Sequence, residues 1–151
     1  MNHAQLTPSV MGSLPADGRP QALHLAGVDI TPLVSGSACN SYELGLVAGC
    51  NGHGTPAHSH PWDETYFVIK GEVVIGVGNQ EKAFHSGDLV HIPAGERHWF
   101  RFDKSGEALD LTSGQKAFAM FEALVDVPDG SSADKYLSIA KTYGEEDRRK
   151  G

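Results

Sequence analysis

From Val28 onward the sequence breaks into short runs of β-branched and aromatic residues, each closed by turn residues such as glycine, proline or asparagine. Such runs suit a pleated, half-buried surface, and the turn residues between them leave little room for long helices. Runs at 29–34, 41–48, 55–60, 64–70, 72–77, 81–85, 88–92, 97–102, 108–112 and 116–125 read as strands. Ten short strands separated by turns describe an all-β sandwich or barrel. The 18 glycines and 8 prolines among 151 residues agree with so many turns.

The turns have local causes. Lys70-Gly71-Glu72 separates "ETYFVI" from "EVVIGV" and reads as a hairpin, because glycine takes the positive φ that a tight hairpin needs. Gly78-Asn79 reads the same way. Ile92-Pro93-Ala94-Gly95 has proline second and glycine fourth, the preference of a type I turn. One helix is expected late in the chain, where Ala133, Tyr136, Leu137, Ala140 and Tyr143 share a helical face. Ser131 or Ser132 caps its start and Gly144 closes it.

These elements divide the chain into an N-terminal arm (1–22), a β-barrel (23–127), a helical segment (128–144) and a charged, disordered tail (145–151). A composition of 40% hydrophobic and 21% charged residues is that of one globular domain with a real core. The net charge of −7 argues against nucleic acid as a partner. No apolar run approaches the roughly 20 residues that span a bilayer, and the N-terminus lacks the basic and apolar segments of a signal peptide. A cytoplasmic location follows as the expectation, with no membrane partner. Cys39 and Cys50 are too few for a disulfide scaffold and read as free thiols.

Chemistry concentrates in "HSHPWDE", residues 58–64. Residues two apart on a strand point to one face, so His58 and His60 can present both rings to one point. Pro61 breaks the strand, and Glu64 opens the next with its carboxylate able to return to the same interior. A fourth ligand is available in His98, which follows the Pro93–Gly95 turn and begins "HWFRF". "GHGTPA" (52–57) mimics a dinucleotide fingerprint, but no helix follows it, so that reading fails. His85 and His91 lie outside the pattern as surface or supporting residues, and His53 is a loop histidine near the pocket mouth.

"GHGTPAHSHPWDETYFVIKG" (52–71) resembles the first cupin motif: glycine, five residues, His-x-His, three residues, glutamate, six residues, glycine. "GDLVHIPAGERHWFRF" (87–102) resembles the second, with Phe102 where asparagine is usual. The departure affects pocket lining, since that position is not a ligand in the family. The resemblance implies a double-stranded β-helix, the cupin jelly-roll barrel, with a short C-terminal helix. It implies one divalent transition metal per chain (Fe, Ni, Mn, Co, Cu or Zn) held by His58, His60, Glu64 and His98. An octahedral ion so held keeps adjacent positions open for substrate, O₂ or water, and Glu64 can double as a general base.

Strand alternation places Tyr66 and Val68 with Glu64, and Phe100 and Phe102 with His98. Phe118 and Met120 of the last strand join them as pocket lining. The cavity is thus expected to be apolar and aromatic with no inward lysine or arginine, which disfavours sugar phosphates and dicarboxylates. Small quercetin dioxygenase-like cupins are the nearest resemblance. It implies a dioxygenase cleaving an aromatic or enolic diol, with O₂ as second substrate and Glu64 catalytic. A metal-dependent isomerase or lyase of a small polar substrate shares the same motifs, as does a non-catalytic ligand-binding cupin. The family also implies a homodimer.

Overall fold

The computed structural model describes residues 12–128 and 131–144. The tail at 145–151 and the first part of the N-terminal arm lie outside the described residues. Among the described residues nine strands follow in order: β1 (Leu23–Leu25), β2 (Val28–Val34), β3 (Tyr42–Gly49), β4 (His53–Gly54), β5 (Glu64–Val77), β6 (Gln80–His85), β7 (Leu89–Ile92), β8 (His98–Phe102) and β9 (Gly106–Ser113). Two α-helices follow the strands among the described residues, α1 (Ala117–Val125) and α2 (Ala133–Lys141). Every pairing is antiparallel, and the main path runs β1-β2-β3-β9-β5-β8-β4. The all-β barrel of the sequence reading is therefore present.

β5 is the hinge of the architecture, and it corrects one expectation. Residues 64–70 and 72–77 form one strand rather than a hairpin. Its first half pairs with β7 and β9, and its second half pairs with β6 and β8. Gly71 does adopt a positive φ of 70°, but within the strand. It lies opposite Gly106, which in turn lies opposite Gly49. A Cβ on Gly71 would collide with the Ser105 carbonyl, and one on Gly106 with the Glu72 carbonyl. Three glycines in a row let the backbones close in where the sheet curls. A register shift between Val68 and Lys70 accompanies the bend. Such a shift exchanges the two faces. Glu64, Tyr66 and Val68 are buried before it, Val73 and Ile75 after it, and Phe67 and Ile69 are exposed.

Other local expectations fared unevenly. Gly78-Asn79 is a two-residue hairpin, with Val77 opposite Gln80. The turn after β7 is closed by Glu96 N–H donating to the Pro93 carbonyl, with Gly95 at φ 84°. That puts glycine at the third turn position, as a type II turn needs, rather than the expected fourth. The strand expected at 55–60 does not form: β4 ends before it, at Gly54, and the segment keeps an isolated bridge at His58. Pro56 has no N–H to give a ladder there. β1 was not anticipated.

The strand expected at 116–125 is helix α1. "KAFAMFEALV" contains strong helix formers and no β-branched residue before Val125. Its buried residues Ala117, Phe118, Met120 and Leu124 recur at helical spacing. Lys116 offers no side-chain cap. Glu43, buried on β3, supplies the missing acceptor by taking the Phe118 N–H at 3.2 Å. Burial raises the Glu43 carboxyl pKa, partly offset by backbone N–H bonds from Phe118, Gly36 and Ala117. Helix α2 matches its expectation: the Ser132 side chain accepts from the Lys135 N–H, and Leu137 and Ala140 are buried.

The barrel core gathers Ile30, Val47, Val68, Val73, Ile75, Ile92, Phe102, Ala108 and Phe118. A second cluster packs α1 and α2 over Trp62 through Ala117, Met120, Leu124 and Ala140. No helix among the described residues is long and apolar enough to cross a membrane. Cys39 and Cys50 carry free thiols, as expected.

Candidate metal centre and its cavity

His58 and His98 face each other across a two-way backbone bridge, with N–H···O distances of 2.9 and 2.8 Å. His60 is fixed by its carbonyl, which accepts from the Gly95 N–H at 2.9 Å. Asp63 ties the same corner together: Oδ1 accepts from the Ala94 N–H, and its backbone N–H reaches Ser113 Oγ, each at 2.9 Å. Glu64 then opens β5 opposite Ile92 and Thr112. The turn residues are what bring sequence-distant ligand candidates to one place.

The three imidazoles are buried, and one ring nitrogen from each lies within 4.8 Å of the others. Each Nδ1 sits against a backbone carbonyl: His58 at Pro56 (2.7 Å), His60 at Trp62 (2.9 Å) and His98 at Glu96 (2.8 Å). Carbonyls only accept, so each Nδ1 donates and its ring presents Nε2 as a lone pair. This second layer of bonds is the arrangement that orients metal-binding histidines.

Glu64 flanks this triad on the side of His60 and His98, outside the set that gathers within 4.8 Å. Its Oε2 lies 2.6 Å from His60 Nε2 and 3.5 Å from His98 Nε2. A neutral ring whose single N–H goes to a carbonyl cannot also donate to Glu64. A cation shared between Nε2 and the carboxylate, a proton or a metal ion, satisfies both. The donor set therefore fits a first-row divalent metal.

Charge follows the same logic. Burial, with His98 beside it, lowers the His58 pKa to about 3, so the ring is neutral at ordinary pH. Burial alone would raise the Glu64 pKa, but bonds and charge from His60 and His98 outweigh it and hold it well below the usual carboxylate range. Asp110 moves the opposite way. Burial, then the Glu64 charge and a hydrogen bond with Glu64, push it well above its ordinary value.

His58, His60 and Glu64 border a cavity of about 310 Å³ between the barrel and the two helices, and His98 lies outside its lining. Tyr66, Phe100 and Met120 line it, Met120 from α1 rather than from a strand. Val68, Phe102 and Phe118 do not line it; they are buried in barrel packing. Among the described residues, no lysine or arginine lines this cavity. His85 and His91 are exposed and bonded to Glu72 and Thr65. His53 pairs with Phe102 through β4, outside this cavity.

Several lining residues were not foreseen: Trp62, Asp110, Thr112, Leu25, Phe121, Leu124 and Tyr136. Asp110 left a trace in the sequence, since Ala108, Asp110 and Thr112 share the buried face of β9. A carboxylate alternating with small buried residues marks a site rather than a surface. Phe121 and Leu124 were misplaced because 116–125 was read as a strand, and Tyr136 because nothing local sets α2 over the cavity.

Residues 50–112 match the Cupin domain family. An uncharacterized protein of Streptomyces coelicolor is 36% identical over 58 residues, or 38% of this chain. The match spans 55% of that relative, so the chain covers about half its length. Among solved structures, the fold is similar to that of KdgF from Halomonas sp., with a TM-score of 0.63, 15% identity, and coverage of 72% of this chain and 99% of that one. An RmlC-like cupin from Shewanella frigidimarina has a TM-score of 0.62 at 16% identity, covering 69% of this chain and 91% of that one. The polyketide cyclase RemF from Streptomyces resistomycificus has a TM-score of 0.59 at 16% identity, with 69% and 78% covered. The fold is a cupin β-barrel, and the matched domain supports a place in the cupin superfamily.

Proposed function

We propose that this cupin barrel is a metal-dependent enzyme acting on a small aromatic or enolic hydroxy compound. His58, His60, Glu64 and His98 hold one divalent first-row metal per chain. The observation that carries the reading is the buried triad of imidazole nitrogens, with the Glu64 carboxylate beside it, at the edge of an apolar cavity that no cationic side chain lines among the described residues. The reaction favoured is cleavage of an aromatic or enolic diol with O₂ as second substrate. A metal bound there supplies Lewis-acid polarisation of a substrate oxygen. Glu64, held ionised, accepts the substrate hydroxyl proton. Tyr66, Phe100 and Phe121 pack the ring and exclude water. The carbonyls of Pro56, Trp62 and Glu96 keep the imidazoles in one tautomer throughout.

A second reading, isomerase or lyase chemistry without O₂, is favoured by Asp110. It sets a carboxyl whose pKa is pushed well above its ordinary value beside one held well below, the split that separates an acid from a base. The barrel's likeness to a polyketide cyclase is consistent with that reading.

The test uses an oxygen electrode and product mass spectrometry with a panel of catechols, naphthalenediols and flavonols. Wild type and Glu64→Gln are loaded to equal metal content. The favoured reaction predicts oxygen uptake by wild type and turnover slower by at least about a hundredfold in Glu64→Gln. Equal turnover would remove the base role. Conversion without oxygen uptake would select the second reading, and binding without conversion would make the protein a ligand carrier. The protein is further proposed to act in the cytoplasm as a homodimer. The outer sheet face carrying Tyr42, Phe67, Ile69, Leu89 and Leu111 is the contact surface proposed.

A further inference from the structure

Two polar atoms of cavity-lining residues are left without partners by the contacts described above. Trp62 Nε1 and Asp110 Oδ1 are buried and make no hydrogen bond among the described residues. Both residues are only 6% exposed. Buried polar groups are paired in the great majority of cases, and the exceptions call for a reason. Burying Glu43, by contrast, is offset by backbone donors.

Neither atom is free to move elsewhere. The Trp62 indole stacks on the His60 ring at 4.4 Å and 9°, and its carbonyl holds His60 Nδ1. Turning the indole would disturb His60. Asp110 sits on β9 opposite Tyr66, with its other side engaged by Glu64. One atom is a donor only, and the other is a carboxyl oxygen able to accept. The surrounding wall of Leu25, Val28, Phe121 and Leu124 offers neither a partner.

We infer that Trp62 Nε1 and Asp110 Oδ1 are the recognition points for the cavity's ligand. The indole N–H donates to a carbonyl or ether oxygen, and Asp110 accepts from a hydroxyl. The ligand class is an uncharged compound carrying both groups. An analogue lacking either group leaves a buried polar atom unpaired, which is the strongest form of discrimination a pocket has. The inference rests on reading the cavity as the substrate site, and is independent of the metal and of O₂.

Calorimetric titration tests it on the protein as purified, with metal content measured in every sample. The probes are the hydroxytetralone isomers, tetralone, which lacks the hydroxyl, and tetrahydronaphthol, which lacks the carbonyl. Wild type should bind the best hydroxytetralone roughly tenfold more tightly than either relative, the size of one well-made hydrogen bond. Trp62→Phe keeps a ring against His60 and should erase only the preference over tetrahydronaphthol. Asp110→Leu should erase only the preference over tetralone, and Asp110→Asn serves if the leucine variant does not fold. No preference in wild type, or a preference that survives both substitutions, would overturn the inference. A preference of the same size in metal-free and metal-loaded protein would support the inference, which does not depend on the metal.

Discussion

Glu43 decides whether α1 stays on the barrel, and α1 forms one wall of the cavity. Replacing Glu43 with leucine keeps similar bulk but removes the acceptor for the Phe118 N–H and for its partners at Gly36 and Ala117. A buried donor left unsatisfied costs roughly 1–3 kcal/mol. Three such donors would cost more, but burial already disfavours the native carboxylate, as its raised pKa shows. The net loss should be about 2–4 kcal/mol, or roughly 4–16 °C in Tm for a chain of this size. Glu43→Gln keeps an acceptor oxygen and should cost only about 1 kcal/mol. The sign with pH is a separate check. A carboxyl whose folded pKa is raised contributes stability at low pH that is lost as pH rises through that value. Glu43→Gln should therefore gain on wild type as pH rises above about 4.5. Urea unfolding of the three proteins at several pH values measures all of this. A leucine variant within about 0.5 kcal/mol of wild type would refute the capping role.

Three further outcomes are expected. Gly71→Ala should destabilise by at least about 2 kcal/mol, because a side chain at φ 70° is strained and its Cβ meets the Ser105 carbonyl; thermal melts measure it. In chelator-treated protein, His58 contributes a stability loss as pH falls from 6.5 toward 3, since the unfolded ring takes a proton that the folded one refuses. Wild type should lose up to about 1.4 kcal/mol per pH unit relative to His58→Gln over that range, read from urea midpoints. Leu89→Glu, on the outer sheet face and 61% exposed, should leave the fold intact and convert a dimer to monomer in light scattering.

The ligand candidates were legible because their spacing is short-range: two histidines and a glutamate within seven residues, and a histidine after a proline turn. What brings them together is also local, since Asp63, Pro93 and Gly95 build the corner. Gly71 misled because a hairpin and a strand bend ask the same thing of glycine. Which of them forms depends on whether β9 and Gly106 arrive alongside, a fact no local window contains. The helix at 117–125 was readable, since its buried residues recur every three to four positions. The expectation of a tenth strand overrode that period. Asp110 needed the register of β9 against β5, which places it beside Tyr66 and near Glu64. Trp62 needed the helices that cover it.

The claim that His58, His60, Glu64 and His98 form a metal centre is tested most directly by elemental analysis coupled to thermal unfolding. Protein purified without chelator should carry about one first-row metal per chain, or take one up from Fe, Mn, Co, Ni, Cu or Zn. At a free metal concentration a hundredfold above Kd, binding to the folded state should add about 2.7 kcal/mol, roughly 5–10 °C in Tm. His58→Ala and His98→Ala should abolish both the metal and the increment, while His91→Ala keeps them. A folded wild-type protein that takes up none of these metals, and melts at the same temperature with and without them, would contradict the account.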